Sequence, residues 1–298
     1  MQKGLEVEVG AQPINWCNDD FRDLGASITL EQCLSEMRQA GYVGTELGHR
    51  FPQEGGEVRR LLEQYGLRLA SGWHSTYLAS RPYPDEEKAF DAHLARLKAA
   101  GSRVVIVAEC THAIHSEGSK PLRFASGLEL LDESAWTRVY EGLDRLSERA
   151  AASGMKVAYH PHMGTVIQDS RDVDRLMERT KVLSLLLDTG HLAFAGSDSL
   201  AVLRAHGKRV AHVHLKNIRP AVVADVRAKG HSFEAAVRAG AFTVPGDGGI
   251  DYKPIFEHLA ALGYSGWWIV EAEQDPAKAN PLEYALRGRR YIRETAGV

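Results

Sequence analysis

Short apolar runs, each ending in a cluster of histidine, aspartate or glutamate, recur along this chain. Val157-Ala158-Tyr159 leads into His160-Pro161-His162, and Leu183-Ser184-Leu185-Leu186-Leu187 into Asp188-Thr189-Gly190-His191. Val210-Ala211-His212-Val213 leads into His214-Leu215-Lys216, and Trp267-Trp268-Ile269-Val270 into Glu271-Ala272-Glu273. Runs of this length, rich in β-branched and aromatic residues, read as strands of a parallel sheet buried on both faces. Eight strands are predicted: Val7–Ile14, Val43–Glu46, Arg68–Gly72, Val104–Ala108, Lys156–Tyr159, Leu183–Leu187, Val210–Leu215 and Trp268–Val270. Between them apolar residues return at helical spacing, as in Leu30, Cys33, Leu34 and Met37, or Trp136, Val139, Tyr140, Leu143 and Leu146, or Val173, Leu176 and Met177. Thr29 with Gln32 three residues on has the pattern of a capping box, and Gly41 that of a helix stop.

Strands alternating with helices to this number predict a closed (β/α)8 barrel in the α/β class, one domain over residues 1–298. No GxGxxG or Walker pattern follows the first strand, so the usual nucleotide-binding versions of α/β lack their signature. Two long connections, at about 109–133 and 217–252, fall on the face where such barrels build their sites; the second carries an amphipathic helix around Phe233–Ala239. Every strand of a parallel barrel ends on that face. The polar clusters therefore converge in space although sequence separates them widely.

Composition narrows the class. Of 298 residues 44% are hydrophobic and 25% charged, and the net charge of −3 comes from 36 basic and 39 acidic residues interspersed along the chain. No basic patch points to nucleic acid and no acidic block to a disordered tail. Cys17, Cys33 and Cys110 are odd in number and widely spaced, which fits a reducing cytoplasm better than a disulfide framework. Met1-Gln2-Lys3-Gly4-Leu5-Glu6 has no apolar leader, and no uncharged apolar stretch approaches the roughly 18 residues of a membrane span.

The clusters carry the chemistry. Strand alternation puts His212 and His214 on one side, His160 and His162 likewise, and Glu271 with Glu273. Asp188 follows three leucines, where a carboxylate is costly unless it is paired, metal-bound or capping the next helix. His160, Asp188, His214 and Glu271 together supply two imidazoles and two carboxylates, which balance a divalent ion and suit manganese, cobalt, zinc or ferrous iron better than magnesium or calcium. Lys216 lies two residues past His214 on its face; beside a cation its ammonium form is disfavoured, which poises it as a general base, with a solvated strand-end lysine as the plain alternative. His191 is a ligand, a ligand's partner or the second acid/base group. Glu46, Trp73, His74 and Glu109 end the second, third and fourth strands and are expected to line the pocket with His162 and His212. Asn15 and Trp16 open a loop suited to holding a hydroxylated ring.

At this point the chain resembles a known family, the inosose dehydratases, within the xylose-isomerase-like TIM barrels. The resemblance rests on Pro13-Ile14-Asn15-Trp16-Cys17-Asn18-Asp19-Asp20 through Glu46-Leu47-Gly48, on Tyr159-His160-Pro161-His162-Met163-Gly164-Thr165, on Leu187-Asp188-Thr189-Gly190-His191, on His212-Val213-His214-Leu215-Lys216, and on Glu271-Ala272-Glu273-Gln274-Asp275-Pro276. It implies dehydration of 2-keto-myo-inositol (scyllo-inosose) to a trihydroxycyclohexane-1,2-dione in myo-inositol catabolism, with manganese or cobalt and with glutathione named as a further cofactor. It implies Asp188, His214 and Glu271 as ligands. The first ligand of the superfamily is ordinarily a glutamate; here His160 stands in its place, with His162 as the alternative. The implied partner is a small cyclic keto-polyol, with a homo-oligomer allowed. A sugar isomerase or epimerase is the nearest competing function, followed by a phosphodiesterase resembling endonuclease IV and a catalytically silent sugar-binding barrel.

Overall fold

The computed structural model describes residues 5–298; residues 1–4, the start of the stretch read as lacking a leader, lie outside it. The strands are β1 (Glu6–Ala11), β2 (Gly44–Glu46), β3 (Arg68–Ser71), β4 (Trp73–Thr76), β5 (Val104–Glu109), β6 (Lys156–Tyr159), β7 (Ser184–Asp188), β8 (Val210–Leu215), β9 (Asn217–Ile218), β10 (Phe242–Thr243) and β11 (Ser265–Val270). The main sheet runs β3-β2-β1-β11-β8-β7-β6-β5-β4, with every pairing parallel. Only Gly72 separates β3 from β4, so the two ends of that order are one stave of the wall, and the sheet closes into a barrel of eight staves. The expected eight-strand barrel is thus observed, with β3 and β4 together making the third stave longer than the sequence pattern indicated. β1 ends before Ile14 because Pro13 opens a short 3-10 turn over Pro13–Asn15.

Alternation along each strand divides the core in two. Val105, Val107, Val157, Tyr159, Leu185, Leu187 and Val213 face outward and pack against the surrounding helices, such as Leu30–Gln39 and Glu133–Ala152. Val104, Ile106, Ala158 and Leu186 face inward and fill the barrel. The inward series continues upward along the same strands into polar residues, which is why the site sits on an apolar floor. Thr29 caps Leu30–Gln39 by accepting the Gln32 N–H at 3.2 Å, but the Gln32 side chain bonds Glu36 instead of closing the box.

The 217–252 connection is more structured than expected. It contains helices Pro220–Lys229 and Phe233–Arg238 and the antiparallel pair β9–β10. Its Phe233, Val237 and Phe242 join Phe21, Leu122, Met163 and Phe194 in a separate apolar cluster over the barrel's mouth. None of the described helices is long and apolar enough to cross a membrane.

Candidate active site

Glu46, His160, Asp188, His212, His214 and Glu271 project inward at the strand ends, and none is more than 5% exposed. His160 Nε2 lies 3.2 Å from Asp188 Oδ2, and the same oxygen lies 3.5 Å from His214 Nδ1. His214 Nδ1 is also 2.7 Å from Glu271 Oε2. Behind this group, Glu46 Oε2 stands 3.1 Å from His214 Nε2 and Glu46 Oε1 stands 2.7 Å from His212 Nε2, while the Ser71 hydroxyl donates to the same carboxylate. Glu46 therefore fixes the His214 ring, taking its Nε2 proton and leaving Nδ1 to face Asp188 and Glu271.

The donor set fits a divalent metal. His160, Asp188 and His214 bring ligand atoms within 4.8 Å of one another, and Glu271 joins through His214. Despite its short approach to Glu271, His214 Nδ1 makes no aligned hydrogen bond, and it faces carboxylate oxygens of both Asp188 and Glu271. Burial opposes a charged His214, yet Glu46 and Glu271 outweigh it and hold the ring well above the usual imidazole range. Burial likewise opposes an ionised Asp188, but Lys216 and His191 hold its carboxyl well below the usual range. The cluster is built for positive charge at its centre. Of the two candidate first ligands, the structure brings His160 into this cluster and turns His162 away: His162 Nδ1–H donates to Met163 O at 2.9 Å.

A second layer lies beside it. Lys216 Nζ is 2.5 Å from Glu271 Oε1, 2.7 Å from Glu273 Oε2, 2.7 Å from His191 Nε2 and 3.9 Å from Asp188 Oδ2. Gly190 lets the lysine stem pass, because a Cβ there would stand 2.4 Å from Lys216 Cγ. The fall in the lysine's pKa expected beside a cation depends on that cation, and the neighbouring carboxylates by themselves work the other way. Burial favours the amine, but Glu271, Glu273 and Asp188 outweigh it and push the ammonium's pKa above its ordinary value. Alternation revealed the lysine's side of the strand, but not the carboxylates that close around it. Burial, followed by the Lys216 charge, holds His191 well below the usual range, and its Nδ1 accepts the Met163 N–H at 3.3 Å. Burial pushes Glu273 up to about 7, with Lys216 working in the opposite direction.

Above the cluster is a cavity of about 360 Å³ walled by Glu46, Trp73, His160, His162, His214, Glu271 and Glu273. Lys216 and His191 are fully buried behind that wall, with Phe242 5.0 Å from Lys216 Nζ and Phe233 stacked on His191 at 5.9 Å. Trp73 presents its ring edge-on to His160 and His162, at 5.4 and 5.6 Å. His212 lies below, committed to Glu46.

Besides His212, four residues expected at the pocket wall are placed elsewhere. Asn15 ties the first loop to β11, donating to Val270 O at 3.1 Å and accepting the Ala272 N–H at 2.5 Å. Trp16 is in the core with its indole N–H on Glu36 at 2.6 Å. His74 points outward, opposite Trp73, to Glu86 at 3.2 Å. Glu109 also points away from the lumen and accepts the Thr76 hydroxyl and the Leu78 N–H, both at 2.9 Å. Asp19 and Asp20, from the loop that Asn15 and Trp16 open, do line the cavity, and so do His49 and His115, which lie on loops with no periodic pattern to mark them.

The chain matches the family model described as a xylose isomerase-like TIM barrel over residues 34–295. It is 49% identical to an inosose dehydratase of Geobacillus thermodenitrificans, covering 100% of each chain, and 45% identical to one of Clostridium botulinum, covering 98% of each. The crystal structure of the IolI protein with a bound zinc atom superposes with a TM-score of 0.68 at 14% identity, over 98% of each chain, a likeness of fold. With these matches and the barrel's polar mouth together, the chain belongs to the inosose dehydratase family of xylose isomerase-like TIM barrels.

Proposed function

We propose that this protein is a hydro-lyase that removes water from 2-keto-myo-inositol, giving a trihydroxycyclohexane-1,2-dione within myo-inositol catabolism. The observation that carries the reading is the convergence of His160, Asp188, His214 and Glu271 at the floor of a cavity whose wall includes Glu273. Those four residues would hold a divalent ion, and their two imidazoles and two carboxylates favour manganese or cobalt. When bound, such an ion supplies Lewis acidity toward the ketone and the negative charge that develops on it.

The remaining work falls to the chain's own groups. Trp73 packs the ring face of the substrate, and the Phe233–Phe242 cover keeps water from Lys216 and His191. Glu273 is the acid/base residue that reaches the cavity, with Lys216 and His191 as the partners behind it. Its carboxylate takes the proton next to the ketone; the same proton then goes to the hydroxyl on the following carbon, which leaves as water. The enol so formed gives up its O–H proton and gains one from solvent at the carbon that lost its hydroxyl, to become the dione. Lys216 donates to Glu273 and favours its ionised form against burial, which leaves the carboxyl at about 7 and able to take and return a proton. The steps are redox-neutral and balance without a reductant such as glutathione. Cys17, Cys33 and Cys110 are free and buried, which supports a reducing, cytoplasmic setting.

Incubating the manganese-loaded protein with 2-keto-myo-inositol in deuterium oxide tests the reading. The dione should accumulate with deuterium at the carbon that lost its hydroxyl. Exchange or epimerisation of the substrate with no dione would contradict it.

A further inference from the structure

At the rim of the cavity two adjacent acids have different fates. Asp19 is committed to His49, accepting from its backbone N–H at 3.1 Å and pairing with its Nδ1 at 2.5 Å. Asp20 lines the same cavity, yet among the described residues its carboxylate makes no hydrogen bond or ion pair. Its backbone is nonetheless fixed: the buried Asn18 accepts the N–H groups of Asp20 at 2.8 Å and Phe21 at 2.7 Å.

His115, from the long loop after β5, lines that cavity too, and its Nδ1 is buried without a partner. The ring stands 4.9 Å from His162 and 6.4 Å from Trp73, on the side of those residues away from the ligand cluster. Its backbone is clamped. The Ile114 N–H donates to Gly164 O at 2.8 Å, and Gly164 has φ +86°, where a Cβ would come within 3.0 Å of His115 N. Three residues earlier His112 has φ 60°, a backbone state rarely kept by a non-glycine residue without a reason. Desolvation lowers the affinity of the His115 ring for a proton and raises that of the Asp20 carboxyl, each group opposing the shift of the other. Both side chains line the cavity.

We propose that Asp20 and His115 form a subsite that reads hydroxyls on the ring edge of the substrate remote from the ketone. The inference rests on the keto-polyol reading above. A carboxylate accepts from a hydroxyl, an imidazole nitrogen donates to or accepts from its neighbour, and Trp73 packs the apolar ring face between them. The His115 Nδ1, buried and left without a partner in the free protein, penalises a substrate that lacks the matching hydroxyl, and this is how a site rejects a deoxy analogue.

The test compares kcat/KM for 2-keto-myo-inositol and for its analogue lacking the hydroxyl opposite the ketone, using the manganese-loaded wild type, Asp20→Ala and His115→Ala. The wild type should prefer the full substrate by roughly 10- to 100-fold, the range for a hydrogen bond to a charged group. In each variant that preference should collapse toward unity, through a loss on the full substrate alone, with bound metal unchanged. A preference that persists in both variants, or an equal loss on both compounds, overturns the subsite. A wild type that turns over neither compound overturns the dehydratase reading and this inference with it; that result is recognisable because no activity is left to partition.

Discussion

Lys216 Nζ and Glu271 Oε1 stand 2.5 Å apart, and both side chains are buried. Because Glu271 Oε2 also approaches His214, one carboxylate joins the ligand cluster to the lysine layer. Removing the ammonium leaves Glu271, Glu273 and Asp188 without their shared counter-charge. Lys216→Met should destabilise the metal-free protein by about 3–5 kcal/mol, as for one partner of a buried ion pair. Turnover should fall about 10²- to 10⁴-fold even when metal is bound. Urea unfolding with and without manganese checks the first part: the ion should restore part of the lost stability. Metal-free stability equal to that of the wild type would count against the lysine's role.

Glu46 touches the cluster only through His214 and His212. Glu46→Gln keeps the shape but weakens the hold on the His214 ring, so metal affinity should drop about 10- to 100-fold, the range for residues that orient a ligand. Competition with a fluorescent chelator measures it. An unchanged affinity would mean that the ring is held by packing alone.

His160 stands where the resemblance to xylose-isomerase-like barrels implies a glutamate ligand. His160→Glu should retain a metal and shift preference toward harder ions such as magnesium. Metal analysis after dialysis against mixed manganese and magnesium gives the ratio. An unaltered ratio would take His160 out of the ligand set.

His93, on the helix Tyr83–Ala99, gives a pH signature apart from the cluster. Burial, and then the neighbouring His74, push it down to about 4 from an ordinary 6.5. The folded pKa is depressed, so the neutral ring contributes stability above pH 6.5, and that contribution is lost as pH falls toward 4, where the unfolded chain binds a proton the fold excludes. The loss is on the order of 3 kcal/mol. His93→Gln lacks it, so the stability advantage of wild type over variant should shrink by that amount between pH 7 and pH 4. Parallel curves from urea unfolding at the two pH values would show that His93 titrates normally.

Period-two patterning made the barrel legible because its strands are buried on both faces and end in polar residues. The same patterning placed His160, Asp188, His214 and Glu271 at one mouth, since the fold brings all strand ends together. It failed where side was judged without the partner strand. Trp73 and His74 are consecutive and so face opposite ways, and Glu109 continues the outward series of Val105 and Val107. At Lys216 it gave the side of the strand but not the surroundings, because Glu271 and Glu273 come from the end of another strand. His115 was silent because a loop has no period to read, and for the same reason the loop that Asn15 opens could be read only as a whole, without telling Asp20 from Asn15.

The most direct measurement is turnover of 2-keto-myo-inositol by one preparation before chelation, after verified metal removal, and after adding back manganese or cobalt, with bound metal quantified at each stage. The expected result is dione formation that disappears with the metal and returns in proportion to about one ion per chain. Undiminished dione formation by metal-free protein would contradict a reaction built on His160, Asp188, His214 and Glu271.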